Sequence, residues 1–331
     1  MCASKSKMKG VACFGDCNID LITTIPSIPV LGGCVFSDAV HFNVGGTVLN
    51  TVFALRHLGI DVSMISKVGD DVFGKYLMRS LREKGFNLEY VSSTSDYPTG
   101  VTIGLVEPGG EIRWISARLR AADKYIFPSD LECVPVPEIL YISGVAIVEG
   151  VETRTTITAF ARHVKAQGGT VVLDPNIRTP ELTIDDEVRT AFLAILPSVD
   201  VLVANEAELA MLSGSKEVEI SREKILGLGV STVWEKRGDK GARLLNAKGV
   251  WSFPASEVRA VDASGAGDAF NAAIIFSMLN EFSDAETGVF ANLFAGYTVR
   301  TVGTTNALPP REVIKEMIQQ VTGIDSAGYR K

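Results

Sequence analysis

Apolar residues recur along this chain in two rhythms. Short apolar runs bounded by glycine or polar turns read as buried strands at 10–14, 62–68, 139–142, 170–173, 199–204 and 231–235. Elsewhere the apolar positions repeat every three or four residues and read as helices. One passes through Val52, Phe53, Leu55 and Leu58 to stop at Gly59, one opens at Gly74 and runs to Gly85, and others cover 153–167, the apolar 269–279 and 285–302. Pro309 and Pro310 open a last helix. From about Ile139 strand and helix alternate, which implies a parallel sheet with right-handed crossovers. Two stretches break the alternation. Residues 21–43 are rich in Thr, Ile, Pro, Val and Gly and suit short strands, and Glu107-Pro108-Gly109-Gly110 between 99–106 and 111–115 reads as a hairpin turn. Together they predict a small sheet apart from an α/β body. Two further short strands are expected at 242–245 and 250–253.

Composition adds exclusions. The 331 residues, 46% hydrophobic and 21% charged, can build an ordinary well-packed core, with one α/β domain over 10–320 and flexible ends at 1–9 and 323–331. A net charge of −7 argues against nucleic acid as a partner, because phosphate-backbone binders cluster Lys and Arg. Residues 1–9 lack the apolar stretch of a signal peptide, and no run has the length of a membrane span, so the chain reads as cytoplasmic with no membrane partner. Five cysteines without a C-x-x-C pair suggest neither a disulfide framework nor a zinc site, and fit a reducing compartment. His57 and His163 fall in helical patterns as packing residues, which makes a Ser-His-Asp hydrolase a poor fit.

The chemistry concentrates in Asp262-Ala263-Ser264-Gly265-Ala266-Gly267-Asp268-Ala269-Phe270. Small residues there let backbone N–H groups converge at the start of an apolar helix, where the helix dipole favours an anion. Asp268 either caps that helix or takes a proton from a hydroxyl while the amides of Gly265, Ala266 and Gly267 hold the phosphoryl group under attack. At the end of the first strand, Asp16, Asn18 and Asp20 either brace a turn or accept hydrogen bonds from a polyol. Gly45 and Gly46 allow close approach of a ligand, and Asn50 on the next helical turn faces the same space. Arg178 in Asp174-Pro175-Asn176-Ile177-Arg178 binds a carboxylate or phosphate, or pairs with a neighbouring acid. Asn205 and Glu208 form a capping box or place a carboxylate by a metal. Lys236 either touches a phosphate or is solvated, while Asp70 and Asp71 sit where acids cap helices.

These motifs resemble the ribokinase-like (pfkB-type) carbohydrate kinases. The resemblance rests on D-x-S-G-A-G-D-A-F at 262–270, G-G-x-x-x-N at Gly45, Gly46 and Asn50, and N-x-x-E at Asn205 and Glu208. It implies a three-layer α/β sandwich with a mostly parallel sheet, and a lid made from about 19–43 and 99–126. It further implies transfer of the γ-phosphate of ATP, with Mg²⁺, to a hydroxymethyl group of a sugar. In that reading Asp16, Asn18, Asp20, Gly45, Gly46, Asn50 and Arg178 hold the sugar, and Asn205 and Glu208 organise the magnesium. Lys236, Gly238 and Gly241 meet the nucleotide and Asn292 lines the adenine pocket. Asp262, Ser264 and Gly303 stand by a monovalent cation, K⁺. D-P-N-x-R is similar to the kinases of fructose and of 2-keto-3-deoxygluconate, and Thr47 and Val48 depart from ribokinase, so a ketose or keto-deoxy sugar acid is expected ahead of ribose or a nucleoside. A sugar-binding regulatory protein is the competing class, but it need not keep Asp268. Free strand edges on the lid suit pairing with the lid of a second chain. A Rossmann dehydrogenase is disfavoured because no G-x-G-x-x-G follows the first strand.

Overall fold

The computed structural model describes residues 7–177 and 183–330. Strand β1 (Met8–Phe14) passes within three residues into β2 (Asn18–Thr24), and β3 (His41–Gly45) returns to helix α1 (Thr47–His57). Next come β4 (Val62–Gly69), α2 (Val72–Glu83), β5 (Val91–Thr94) and the hairpin of β6 (Gly100–Val106) and β7 (Ile112–Ala117). The chain continues with β8 (Pro137–Ser143), α3 (Val145–Glu149), α4 (Val151–Ala166), β9 (Thr170–Asp174) and α5 (Asp186–Ile195). It ends through β10 (Val201–Asn205), α6 (Glu206–Ser213), α7 (Val218–Gly227), β11 (Thr232–Lys236), β12 (Ala242–Asn246), β13 (Gly249–Phe253), α8 (Ala266–Leu279), α9 (Asp284–Thr298) and α10 (Arg311–Val321).

Nine strands form the main sheet in the order β13-β12-β11-β10-β9-β8-β1-β4-β5, parallel except for the antiparallel β12 and β13. Its strands read as continuous apolar runs because both faces are covered. Val11 and Cys13 enter one core with residues of α1, α8 and α9, while Ala12 and Phe14, pointing the other way, join residues of α4 and α5. The second sheet, β3-β2-β6-β7, pairs β2 with β6 in parallel, Asn18 opposite Gly100. It is the expected small sheet, but its last strand stops at Ala117. Residues 118–126 turn back into the body, where Arg118, Ala121, Ala122, Asp123 and Lys124 are buried.

Two expectations need correction. Met8 and Lys9 belong to β1 rather than to a flexible end. The tail is not loose either: the Tyr329 ring lies 4.9 Å from Phe253, and Arg330 donates to the Lys248 carbonyl at 3.1 Å. An aromatic side chain near the terminus gains by covering the apolar edge of β13. Cys13, Cys17 and Cys34 are free thiols and Cys133 is disulfide-bonded. Among the described residues no helix is long and apolar enough to cross a membrane.

Candidate active site

The crevice lies at the carboxyl ends of the parallel strands. Asp16, just past β1, accepts from Thr47 N at 2.9 Å, Thr47 Oγ1 at 2.7 Å, Val48 N at 3.2 Å and Arg118 Nη1 at 3.1 Å. Four donors fill a carboxylate. Asp16, expected to bind substrate, therefore caps α1 from across the chain and balances Arg118. Burial works to raise its pKa, but Arg118 and the bonds from Thr47 and Val48 outweigh burial and bring it down to about 2. Gly45 and Gly46 make this crossing possible. A Cβ on Gly45 would stand 2.2 Å from Asp20 Oδ2, and one on Gly46, at φ 120, 2.5 Å from the Asp16 carbonyl.

Asn18 and Asp20 open β2 as a linked pair, Asn18 Nδ2 donating to Asp20 Oδ1 at 2.7 Å. Burial raises the Asp20 pKa against the opposing pull of Asn18 and Arg118. Asn50, one turn into α1, donates through Nδ2 to Asp268 Oδ2 at 2.9 Å, so two motifs far apart in sequence meet. Asp268 is 4% exposed in the first turn of α8. The residue before that helix, Gly265, is left-handed at φ 73 and supplies no side-chain cap; a Cβ there would lie 2.8 Å from Thr304 Cγ2. The first amides of a helix lack acceptors within it, so Gly267 presents its N–H outward from this turn. Lys236 Nζ stands 3.6 Å from where a Gly267 Cβ would be. The Ala266 amide donates to the Ala263 carbonyl at 3.3 Å, so a carboxylate, the Gly267 amide and an ammonium converge here, as attack of an alcohol on a phosphoryl group requires.

The profile described as pfkB family carbohydrate kinase matches residues 8–311. The chain belongs to that family. This carbohydrate kinase is a phosphotransferase with an alcohol group as acceptor. It is 24% identical over 322 residues to the probable fructokinase-7 of Arabidopsis thaliana, covering 93% of this chain and 92% of that one. It is 27% identical over 270 residues to the aminoimidazole riboside kinase of Salmonella typhimurium, covering 80% and 84%. The structure of a putative ribokinase II from E. coli, in complex with ATP and Mg²⁺, superposes with TM-score 0.79 at 24% identity, covering 95% of this chain and 100% of that one. The expected ribokinase-like fold with its separate small sheet is borne out.

One turn further along the same face of α8, Asn271 Nδ2 reaches Asp174 Oδ2 at 2.6 Å and the Tyr141 hydroxyl at 3.0 Å, and Lys236 of the kinase donates to the same Asp174 oxygen at 2.7 Å. Burial works to lower the Lys236 pKa, but Asp174 and Glu208 hold it above its ordinary value. Asn205 and Glu208 form a closed capping box on α6, and the second Glu208 oxygen accepts from Ile177 N at 3.0 Å. Burial, with Asp174 adding to it, raises the Glu208 pKa. Asp262 accepts from Ser264 N at 2.8 Å and Gly303 N at 2.9 Å, pinning two loops together. These bonds lower its pKa against the opposing effect of burial. Gly238, at φ 58, is open, whereas a Cβ on Gly241 would come 2.1 Å from the Phe253 carbonyl. Asn292 donates to the Phe253 and Pro254 carbonyls at 3.1 and 2.9 Å, so its amide shapes the loop after β13. Arg178 lies outside the described residues. Arg118 and Asn271 escaped the sequence reading. Asn271 had a signal, three residues after Asp268 on one helical face; Arg118 had none.

Proposed function

We propose that this kinase transfers the γ-phosphate of ATP, with Mg²⁺, to a hydroxymethyl group of a ketose, fructose being the sugar named for its plant relatives. The observation that carries the reading is Asp268, held by Asn50 in the first turn of a helix whose end has no side-chain cap. Asp268 takes the proton as the hydroxyl oxygen attacks phosphorus, and the amides of Gly265 and Gly267 hold the moving phosphoryl group, whereas the Ala266 amide, expected beside them, donates to the Ala263 carbonyl at 3.3 Å. Lys236 adds positive charge beside them. Asn18, Asp20 and Asn50 orient the sugar, with Gly45 and Gly46 setting its floor. Gly238, Gly241 and Asn292 frame the nucleotide.

When bound, Mg²⁺ neutralises phosphate charge. The oxygens of Glu208 and Asp174 and the Asn205 amide oxygen already accept from main-chain amides, Lys236 and Asn271, so these residues would hold Mg²⁺ through its water molecules rather than directly. Asp262 spends both carboxylate oxygens on amides, so K⁺ would rest against main-chain oxygens of the loops that it ties, near Ser264 and Gly303. Exposed Val30, Leu31, Phe36, Trp114 and Leu119 on or beside the lid support pairing of two chains there. ADP release across a panel of sugars tests the proposal; no release with any ketose, aldose or nucleoside would reject it.

A further inference from the structure

Charge around the sugar-gripping pair is unbalanced. Arg118 and Lys124 are surrounded by Asp16, Asp20, Asp123 and Glu149. Arg118, 7% exposed, is spread over them: Nη1 reaches Asp16 Oδ2 at 3.1 Å and Asn18 Oδ1 at 2.6 Å, and Nη2 reaches Asp123 Oδ2 at 2.8 Å and Glu149 Oε2 at 3.7 Å. Lys124 is ion-paired with Glu149. The donor that Arg118 leaves without a hydrogen bond among the described residues is Nε, and Asp123 leaves Oδ1. Both atoms are buried, so neither is placed to meet a ligand directly. A ligand carboxylate would enter beside buried acids whose cations are already engaged, and like charges brought together out of water repel strongly.

We infer that Asp123 is a specificity-determining positioning residue: by holding Arg118 against Asp16 and Asn18 it keeps the sugar pocket acidic, so that the pocket accepts uncharged sugars and excludes sugar acids. This rests on the sugar-kinase reading and narrows its substrate class. Removing the Asp123 charge frees one arm of the guanidinium fork to meet an anion.

The test is calorimetric binding and turnover of fructose and of 2-keto-3-deoxygluconate with the full chain, as wild type, Asp123→Asn and Asp123→Glu. Wild type is expected to favour fructose by about 100-fold or more. Asp123→Asn should narrow that gap by about tenfold, through a lower KM for the acid, while Asp123→Glu keeps it. A merely structural Asp123 would depress both sugars alike in the Asn variant and leave their ratio fixed, which overturns the inference. So does a wild type that binds the acid as tightly as fructose, a ratio that needs no variant to fold. Selective binding of fructose without ADP release would reject the kinase reading and leave this inference standing; binding of neither sugar overturns this inference, while the sugar panel decides the kinase reading separately.

Discussion

Helices α6 and α8 start beside the same crevice, yet their first turns are built in opposite ways. At α6, Asn205 accepts from the Glu208 amide at 2.9 Å and Glu208 accepts from the Asn205 amide at 2.8 Å, so the helix satisfies its own end. At α8 the corresponding place is Gly265, which has nothing to offer. Helix α1 stands between them, since Gly46 gives no cap but Asp16 reaches across to Thr47 and Val48. A helix end whose amides are already paired gains little from an incoming anion, so the proposed phosphoryl site is placed at α8, whose start has no side-chain cap. The two carboxylates differ accordingly: Glu208 completes its helix, whereas Asp268 leans toward Asn50 on another helix.

This contrast can be broken in several ways. The largest effect is expected from Asp268→Asn, where kcat should fall roughly 10²- to 10⁴-fold. Asn50 can still donate to the new amide oxygen, so the melting temperature should hold; turnover within a few-fold of wild type would show that α8 carries no base. Lys236→Met comes next, with kcat/KM for ATP down about 10²-fold. It also leaves Asp174 buried with Asn271 and without its cation, so a lower melting temperature should accompany the loss.

Asp16→Asn tests the borrowed cap on α1. Its folded pKa lies below the ordinary value of 3.8, at about 2, so the carboxylate stabilises the fold fully above the ordinary value and loses that contribution as pH falls through about 2. The advantage of wild type over the variant should be about 2 kcal/mol at neutral pH and vanish in acid. Denaturant titrations at several pH values measure it, and a difference independent of pH would contradict the assignment. Asn205→Ala is expected to be mildest, about 1 kcal/mol in stability with a few-fold change in KM for ATP. If it cost as much turnover as Asp268→Asn, the distinction between closed and bare helix ends would fail.

Much of the fold was legible because strands buried on both faces must be apolar throughout, as in β8 to β11. The Gly-Ala-Gly stretch was legible for a related reason: a local backbone requirement leaves a local trace. What escaped depends on contacts distant in sequence. Nothing near Asp16 announces that Arg118 and Thr47 will occupy it. Asn50 and Asp268 each stood out, but their hydrogen bond exists only once α1 packs against α8. Asn205-x-x-Glu208 carried both of its readings in the sequence, and the geometry shows the cap. The packed tail was missed because Tyr329 is the only aromatic residue in a polar stretch, too little for a periodic signal.

The lid joins β2 to β6 side by side in the same direction, although α1, β4, α2 and β5 separate them along the chain. Neither arm can find the other until the intervening segment has collapsed and drawn both to one edge of the body, because the entropy of so wide a loop must be met first. The small sheet should accordingly be the last part of the molecule to assemble during refolding and the first to exchange its amide hydrogens, with helix α8 already in place.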